Sequence, residues 1–414
     1  MGSYRAAARD DTPSLEPYDR PLIVIGITHS QTCLVLTGRL QAFRESGFRV
    51  VLVSSPGRML DEMAAQEGVE SLAIPMERGI APFSDIVSLF RLGRALLRLR
   101  PDITEFSTPK AGLLGNLAGL FCGVPHRVYL LRGLRLETAS GLKRLILHCA
   151  ERLAAACCHV VLCNSRSLRD QALALRLASD QKLRLLGHGS GNGVDVERFA
   201  PGTTGLRSRL GIPAHVPVIG FVGRLTVDKG VPELIQSFES LLRTTPDARL
   251  LLVGWYDQSE DALAPELCAR IDRHPNIVRT GFVSDTAPYY RAMDMMVLPT
   301  LREGFPNAVL EAAATGLPVI TTLATGARDS VLHEVTGLLV PTGQPKALTA
   351  AMLRLLANPE RRQQMALAAR KWVTDLFRHT RVHALTVAMF QELMHQPCAS
   401  SASVGAKGAA VAAD

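Results

Sequence analysis

The segment MMVLPTLREGFPNAVLEAAATGLPVITT (295–322) shows, within one stretch, the pattern of residues that is repeated along the chain. A short apolar run is followed by a polar loop, an Ala-rich stretch, Gly316 and Pro318, and then a second apolar run. Glycine after such a stretch and proline before the next run are typical of a helix end followed by a strand. The segment therefore predicts a strand, a helix and a second strand, the unit from which parallel sheets are built.

The same alternation continues in both directions along the chain. Predicted strands of the first half are 22–26, 49–54, 71–75, 102–106, 127–131, 160–164 and 183–187, with helices at 32–46, 59–67, 84–100, 110–122, 141–158 and 165–177. Those of the second half are 216–223, 249–254, 276–281, 295–300, 318–322 and 337–341, before a helical region from about 345 to 396. Near-continuous apolar strands separated by helices predict parallel sheets covered on both faces.

The aperiodic segment GHGSGNGVDVERFAPGTTG (187–205) divides these 414 residues into halves of a typical domain size. The predicted fold is α/β, with two tandem Rossmann-like, doubly wound parallel-sheet domains facing a cleft. The predicted boundaries are a disordered tail (1–20), a first domain (21–200), a second domain (201–380), a helix that packs back on the first domain (381–397) and a second disordered tail (398–414).

Charge is distributed unevenly. The chain has 46 basic and 38 acidic residues, a net charge of +8, and residues 86–184 alone hold 16 basic and 6 acidic residues. This zone is expected to face an anionic partner. Because aromatic residues make up only 5% and no nucleic-acid-binding module is recognisable, nucleic acid is not the expected partner.

Several features favour a cytoplasmic protein. No apolar run reaches the roughly 18 residues that a membrane span needs, and residues 1–20 lack the apolar core of a signal peptide. None of the eight cysteines forms a Cys-x-x-Cys pair, which favours reduced core thiols over disulfides or metal ligands.

Two cations follow a predicted strand in GFVGRLTVDKGVPELIQSF (220–238). Arg224 and Lys229 come after the strand end at Gly223 and before a helix that opens near Pro232. Arginine offers phosphate oxygens a planar fork, and lysine offers a mobile point charge. The alternative is a surface loop whose cations are solvated.

Two carboxylates lie around a predicted helix start. Glu303 follows the strand 295–300, and Glu311 lies eight residues later in a helix that begins near Asn307. Unpaired N–H groups at such a helix start suit a diphosphate, whereas carboxylates suit sugar and ribose hydroxyls. The alternative for Glu311 is a solvent-facing helix position.

Other common site signatures are missing from the sequence. No Asp-x-Asp or His-x3-His pair follows a strand, so no metal ion is expected. There is no phosphate-binding Gly-x4-Gly-Lys-Ser/Thr and no Gly-x-Gly-x-x-Gly after the first strand. No cofactor is expected.

These residues resemble the family 4 glycosyltransferases, which have the two-domain GT-B fold. The resemblance rests on GRLTVDKG (223–230), GFV (281–283) and EGFPNAVLE (303–311). In the first half, YLLRGLRLET (129–138) and GSGNGVD (189–195) resemble a subgroup from bacterial capsule, exopolysaccharide and lipid-linked oligosaccharide assembly.

The resemblance implies metal-independent, retaining transfer of a sugar from a nucleotide-sugar, expected to be a UDP-sugar, onto a glycan linked to polyprenyl diphosphate. Arg224 and Lys229 would neutralise the diphosphate, Glu303 would contact the sugar, and Glu311 would hold the ribose. The backbone amides of Gly304, Phe305, Pro306 and Asn307 would touch the donor sugar and phosphate, and the backbone of Phe282 and Val283 would meet the base. Gly223 and Ala308 complete the expected donor-contacting residues. No nucleophile is identifiable, which agrees with front-face transfer.

One position departs from the family pattern. Many members have His-Gly after the fifth strand, and the His contacts the sugar, whereas this chain has Arg132-Gly133. Either Arg132 makes a sugar or phosphate contact in its place, or that role passes to His29 or His188.

The basic zone includes a predicted helix, 86–100, that places Arg91, Arg94 and Arg98 on one side. Lys143 and Arg144 add to it from the helix 141–158. One interpretation is a packed helix with a solvated arginine face. The other is peripheral contact with anionic lipid on the inner face of the plasma membrane.

Two other functions are compatible with the same sequence features. The first is a nucleotide-sugar epimerase of the same fold, which would act without an acceptor. The second is a non-enzymatic, basic nucleotide- or lipid-binding protein.

Overall fold

The computed structural model describes residues 20–77, 79 and 81–396. The predicted tails 1–20 and 398–414 lie outside this part, apart from Arg20. The first sheet consists of β1 (Leu22–Gly26), β2 (Arg49–Ser54), β3 (Glu70–Ala73), β4 (Ile103–Ser107), β5 (His126–Leu131), β6 (Val160–Cys163) and β7 (Leu183–Leu185). All its strand pairs are parallel, in the order β3-β2-β1-β4-β5-β6-β7.

The second sheet has the same plan with one strand fewer. It consists of β8 (Val218–Val222), β9 (Arg249–Val253), β10 (Ile277–Arg279), β11 (Met295–Leu298), β12 (Val319–Thr322) and β13 (Gly337–Val340). The order is β10-β9-β8-β11-β12-β13, again all parallel. Each predicted strand is present, and the two parallel sheets confirm the predicted fold class.

Helices cover both faces of each sheet. Those of the first half are α1 (Arg39–Glu45), α2 (Arg58–Glu67), α3 (Pro82–Leu99), α4 (Pro109–Phe121), α5 (Gly141–Cys157) and α6 (Arg166–Ala174). Those of the second are α7 (Leu206–Arg209), α8 (Val231–Leu242), α9 (Pro265–Arg273), α10 (Ala287–Tyr290), α11 (Asn307–Ala314), α12 (Pro345–Leu356), α13 (Pro359–Leu376) and α14 (His379–His395). No helix in the described part combines the length and apolarity needed to cross a membrane.

The prediction of one continuous helix over 32–46 is wrong. A 3₁₀ helix, Ser30–Leu36, is separated from α1 by Gly38, whose φ is +75°. The buried carboxylate of Glu67 accepts hydrogen bonds from the N–H groups of Gly38 (2.7 Å) and Gln41 (3.0 Å). A carboxylate from α2 therefore caps α1, a tertiary contact that the local sequence does not reveal.

The last helix returns to the first domain. Phe390, Leu393 and their neighbours on α14 belong to the core beneath β1 and β2, and the Phe390 ring lies 4.8 Å from that of Phe43. Before this, Arg378 forms a parallel bridge with Val194 in the interdomain linker. The two domains are thus joined by two chain segments.

A buried carboxyl group makes the stability of the first domain depend on pH. The Tyr129 hydroxyl donates a 2.7 Å hydrogen bond to Glu151 between β5 and α5, and burial raises the pKa of Glu151 to about 7. The folded chain therefore binds this proton more tightly than the unfolded chain does, so the contribution of Glu151 to stability falls as pH rises from about 4.5 to 7.

We expect Glu151→Gln, which cannot ionise and still accepts the Tyr129 hydrogen bond, to remove this pH dependence. Its Tm should exceed that of the wild type by several degrees at pH 8 and match it near pH 4.5. Differential scanning calorimetry across this range is the measurement, with the exposed Glu266→Gln as the control. A Glu151→Gln variant whose Tm follows the wild type at every pH would contradict the explanation.

Candidate active site

The two sequence motifs of the second domain meet at one edge of its sheet. β8 and β11 are neighbours at the point where the strand order reverses, which is where ligands bind in doubly wound sheets. The loop after β8 contacts the loop after β11, because the carbonyl oxygen of Asp228 accepts from the Leu301 N–H (2.9 Å) and the Thr300 hydroxyl (3.0 Å). Gly230 has a φ of +73°, and a Cβ there would lie 1.9 Å from the Pro299 oxygen. Glycine is therefore required for this contact.

Arg224 lies at the predicted position and is held by acidic residues. Its guanidinium forms an ion pair with Asp257, and a second carboxylate, Asp228, lies 3.8 Å away. Burial alone would lower the pKa of Arg224, but these two carboxylates raise it. The side chain is one-third exposed, so one part of the guanidinium is fixed while another faces solvent.

Lys229 and Glu303 form an ion pair across the two loops. Both side chains are largely buried. The Glu303 N–H donates to the Thr325 carbonyl oxygen at 3.0 Å, which fixes the backbone of the loop after β11. The structure thus brings together three of the predicted residues, Arg224, Lys229 and Glu303.

Sequence reasoning missed the acidic network beneath these cations. The Arg302 Nη2 lies 3.0 Å from both Asp228 and Asp261, and the Thr226 hydroxyl donates to Asp228 at 2.6 Å. Burial would raise the pKa of Asp228, but the charges of Lys229 and Arg302 and the Thr226 hydrogen bond hold it below its usual value. The Asp-Lys pair in the motif was the only local signal of this carboxylate.

The predicted helix start at Asn307 is confirmed, because α11 spans Asn307–Ala314. Pro306 is its N-cap and gives no side-chain hydrogen bond, so the first N–H groups of α11, including that of Ala308, have no side-chain cap. A Cβ on Gly304 would lie 2.2 Å from the Arg132 carbonyl oxygen, so glycine allows the first domain to approach this loop.

The Phe305 side chain takes no part in the expected donor contact, which the resemblance assigns to the backbone amides of Gly304–Asn307. The side chain is buried, and its ring lies 5.1 Å from that of Phe377. The ring therefore anchors the loop in the core, and Phe305 can offer a substrate only its backbone.

Glu311 is not a solvent-facing helix residue. The hydroxyl of buried Tyr290 donates a 2.8 Å hydrogen bond to its Oε2, and burial raises the pKa of Glu311. Tyr290 comes from α10, and no motif in the sequence indicates this partner. The hydrogen bond fixes the carboxyl group of this residue, which lies in the second turn of α11.

Phe282 and Val283 lie beside the loops that follow β9 and β10. The Phe282 side chain is 58% exposed, and its ring packs edge-on against Trp255 at 5.4 Å. Val283 is half-buried against the core. Gly254 allows the loop after β9 to approach closely, because a Cβ there would lie 1.8 Å from the Gly223 oxygen.

The three candidates from the first domain occupy different environments. His29 caps the 3₁₀ helix through a 3.3 Å hydrogen bond from the Gln31 N–H to its Nδ1. His188 is exposed, with its ring 6.3 Å from that of Phe377. Arg132 directly follows β5, and its Nε donates to the Ser107 hydroxyl at 3.2 Å. Of the three, Arg132 has its backbone against the Gly304 loop.

Several polar pairs connect the domains around this edge. Arg135 and Lys143 of the first domain bind Glu260 of the second at 2.9 and 2.6 Å. The Thr325 hydroxyl donates to Glu137 at 2.6 Å. Lys143 is predicted to face a membrane. It is instead paired with a carboxylate at the contact between the domains, so we do not assign it to the membrane-facing residues.

The other basic candidates lie on the outer surface of the first domain. Arg91, Arg94 and Arg98 are exposed along α3, and Arg144 is exposed on α5. Within residues 20–77, 79 and 81–396, no three His, Cys, Asp or Glu side chains are grouped so that they could hold a metal ion.

Comparison with known proteins agrees with this geometry. Residues 216–358 match the family described as glycosyl transferases group 1, and residues 36–189 match the glycosyl transferase 4-like domain. The chain is 35% identical to the capsular polysaccharide biosynthesis glycosyltransferase CapM of Staphylococcus aureus over 352 residues, which are 85% of this chain and 92% of the relative.

A second relative is the UDP-Gal:alpha-D-GlcNAc-diphosphoundecaprenol alpha-1,3-galactosyltransferase of Escherichia coli, 26% identical over 80% of this chain and 88% of its own length. Among solved structures, Anabaena HepE in complex with UDP and glucose has a TM-score of 0.75, with 17% identity over 89% of this chain and 99% of its own. These matches, together with the two parallel-sheet domains, show that the chain belongs to the group 1/family 4-like glycosyltransferases and has the GT-B fold.

Proposed function

We propose that this glycosyltransferase moves a sugar, with retention, from a UDP-sugar onto a lipid-linked glycan during the assembly of a bacterial surface polysaccharide. The observation that carries the proposal is the meeting of Arg224, Lys229 and the α11 N-terminus at the reversal point of the second sheet. The names of the S. aureus and E. coli relatives support the pathway and the lipid-linked acceptor. The HepE complex and the E. coli relative support UDP as the nucleotide.

The cations have a direct chemical task in this proposal. When the bond between sugar and diphosphate breaks, negative charge builds up on the leaving oxygens. Arg224, Lys229 and the first N–H groups of α11 stabilise that charge without needing to reorganise. Asp257 and Glu303 hold the two cations in place before the donor binds. Because these groups supply the positive charge, we propose that no metal ion is required.

The two glutamates suit hydroxyl groups. Tyr290 orients Glu311, which we assign to the ribose hydroxyls, and Lys229 orients Glu303, which we assign to the transferred sugar. We assign the base to the Phe282–Val283 segment, because it lies in the loop after β10, at the same edge of the parallel sheet, and has an exposed Phe282 ring. A carboxylate accepts two directed hydrogen bonds, so it matches a pair of neighbouring hydroxyls.

We propose front-face transfer as the source of retention. The acceptor oxygen attacks the anomeric carbon from the side on which the diphosphate leaves, and its proton passes to a leaving phosphate oxygen. Glu303 is paired with Lys229 and Glu311 accepts from Tyr290, and we assign both to hydroxyl binding, so neither is assigned as a nucleophile.

The surface around α3 supports contact with a membrane. Phe83, Phe90 and Leu97 project from α3 with exposures of 88%, 75% and 62%, beside the arginines at 91, 94 and 98. Phe121 at the end of α4 is 75% exposed and lines the same groove as Phe90. Large apolar side chains next to cations match the boundary between anionic headgroups and acyl chains. We therefore propose peripheral binding to the cytoplasmic leaflet, where a lipid-linked acceptor would be available.

The proposed reaction can be tested without knowing the acceptor. A panel of UDP-sugars incubated with the protein should include one from which UDP is slowly released, and NMR in the first minutes should detect the sugar with the anomeric configuration of the donor. An inverted sugar would contradict retention. An epimerised donor without UDP release would instead support the epimerase, and binding without any turnover would support a non-enzymatic protein.

We expect Lys229→Ala to lower kcat/KM for this donor cleavage by about 100-fold, the scale seen when one group that stabilises a leaving anion is removed. The matched control is Lys371→Ala, which breaks an exposed ion pair with Asp375 on α13, far along the chain. Equal turnover in the two variants would remove Lys229 from the site.

We expect Arg91/Arg94/Arg98→Glu to reduce binding to phosphatidylglycerol vesicles by at least about 100-fold, since each of the three lost cations contributes about 1 kcal/mol near such a surface and each new carboxylate is repelled by it. The double variant Phe90→Ser/Phe121→Ser should weaken vesicle binding at high salt as well, because the contribution of these two phenylalanine side chains is apolar. The control with the same charge change is Arg209/Arg243/Arg273→Glu, three exposed positions in the second domain. Vesicle co-sedimentation measures all of them, and equal losses in the first variant and the control would contradict the membrane surface.

A further inference from the structure

Three charged side chains lie together at the carboxyl edge of the first sheet. Arg39, at the start of α1, and Glu105, on β4, form an ion pair in which the side chains are 1% and 0% exposed. Arg132 follows β5, the neighbour of β4. Two cations therefore share one carboxylate in a poorly solvated place.

Arg132 has little compensation for its charge. Its Nε bonds to a neutral partner, the Ser107 hydroxyl, at 3.2 Å. Its Nη2 is buried, and among the residues that the structure describes it has no hydrogen-bond partner. Burial and the charge of Arg39 lower the pKa of Arg132 to about 10, against an opposing effect of Glu105. The guanidinium is still protonated at neutral pH, so the cluster carries one excess positive charge.

The Arg39–Glu105 pair does not balance this charge. Nε and Nη1 of Arg39 and Oε1 of Glu105 are also buried without hydrogen-bond partners among the described residues, and the three side chains together carry one more positive than negative charge. Leaving a buried cation unpaired costs considerable free energy, and an anion is the partner that recovers it. Glu303, the carboxylate on the second-domain loop that the Arg132 backbone touches, is already bound by Lys229. An anion carried by a substrate would supply the missing negative charge.

The location of Arg132 indicates what could bring that charge. Its carbonyl oxygen would be 2.2 Å from a Cβ on Gly304, so its backbone touches the loop that carries Glu303. Its Nη1 would be 3.2 Å from a Cβ on Gly191, in the linker between the domains. The guanidinium thus lies on the first-domain side of the cleft, opposite the residues assigned to the donor sugar.

We propose that Arg132, backed by the Arg39–Glu105 pair, binds an oxyanion on one of the two substrates and makes the enzyme select a charged substrate over its neutral counterpart. This inference rests on the proposed function. The oxyanion has two possible sources: the carboxylate of a transferred hexuronic acid, or a phosphate of the lipid-linked acceptor. Arginine presents paired donors that match the geometry of either group.

The experiment has one arm for each source, and both use calorimetric titration of the full chain. The donor arm compares UDP-glucuronate with UDP-glucose. The acceptor arm compares farnesyl phosphate with farnesol in the presence of UDP. In one arm, the wild type should prefer the charged ligand by about tenfold or more, equivalent to about 1.4 kcal/mol.

Arg132→Gln should abolish that preference while leaving the affinity for UDP unchanged. Arg132→Lys, which keeps the charge, should retain part of it, a rescue that a purely structural role does not predict. The control is Arg209→Gln, an exposed position in the second domain, which should behave as the wild type.

The outcomes distinguish a failure of this inference from a failure of the proposed function. A preference that depends on Arg132 in either arm supports the inference and names the source of the oxyanion. If the wild type shows no preference in either arm, the inference is wrong, even if Arg132→Gln does not fold. If the wild type fails to bind UDP at all, it is the proposed function that fails.

Discussion

The close contact between the loops after β8 and β11 is the constraint on which the rest of the site depends. It is made by the Asp228 carbonyl oxygen and requires the absent side chain of Gly230. Through it, the cations of one loop are set against Glu303 and the start of α11 in the other. Since both loops leave buried parallel strands, the positions of these charges are fixed by the sheet itself, and a donor can bind to an arrangement that is already formed.

Much of the fold could be predicted from the sequence, because a parallel strand buried on both faces leaves a strong local signal. Runs such as 22–26 and 295–298 are apolar throughout and are bounded by turn residues. The division between the 3₁₀ helix and α1 could not be predicted in this way. It depends on Glu67, a residue of another helix, capping Gly38 and Gln41. Patterns in the chain report local conformation well and tertiary hydrogen bonds poorly.

The same distinction applies to the site. Arg224, Lys229, Glu303 and Glu311 were predictable because each lies just after a strand or at a helix start, and strand ends of one sheet share an edge. Their partners Asp257 and Tyr290 come from distant segments and gave no signal in the motifs. Lys143 was assigned a partner that the local sequence favoured and the tertiary structure does not supply. It lies on α5, a basic helix predicted to face lipid, and it pairs with Glu260 of the other domain.

The return of α14 to the first domain has a consequence for how the protein is made. Phe390 and Leu393 complete the core that contains Phe43, yet about 350 residues separate them from it along the chain. During synthesis, the first domain must therefore leave the ribosome with part of its core uncovered and wait until the second domain has been translated. Completion of the first domain is coupled to that of the second, and the apolar surface exposed in the interval is a natural site for a chaperone to bind.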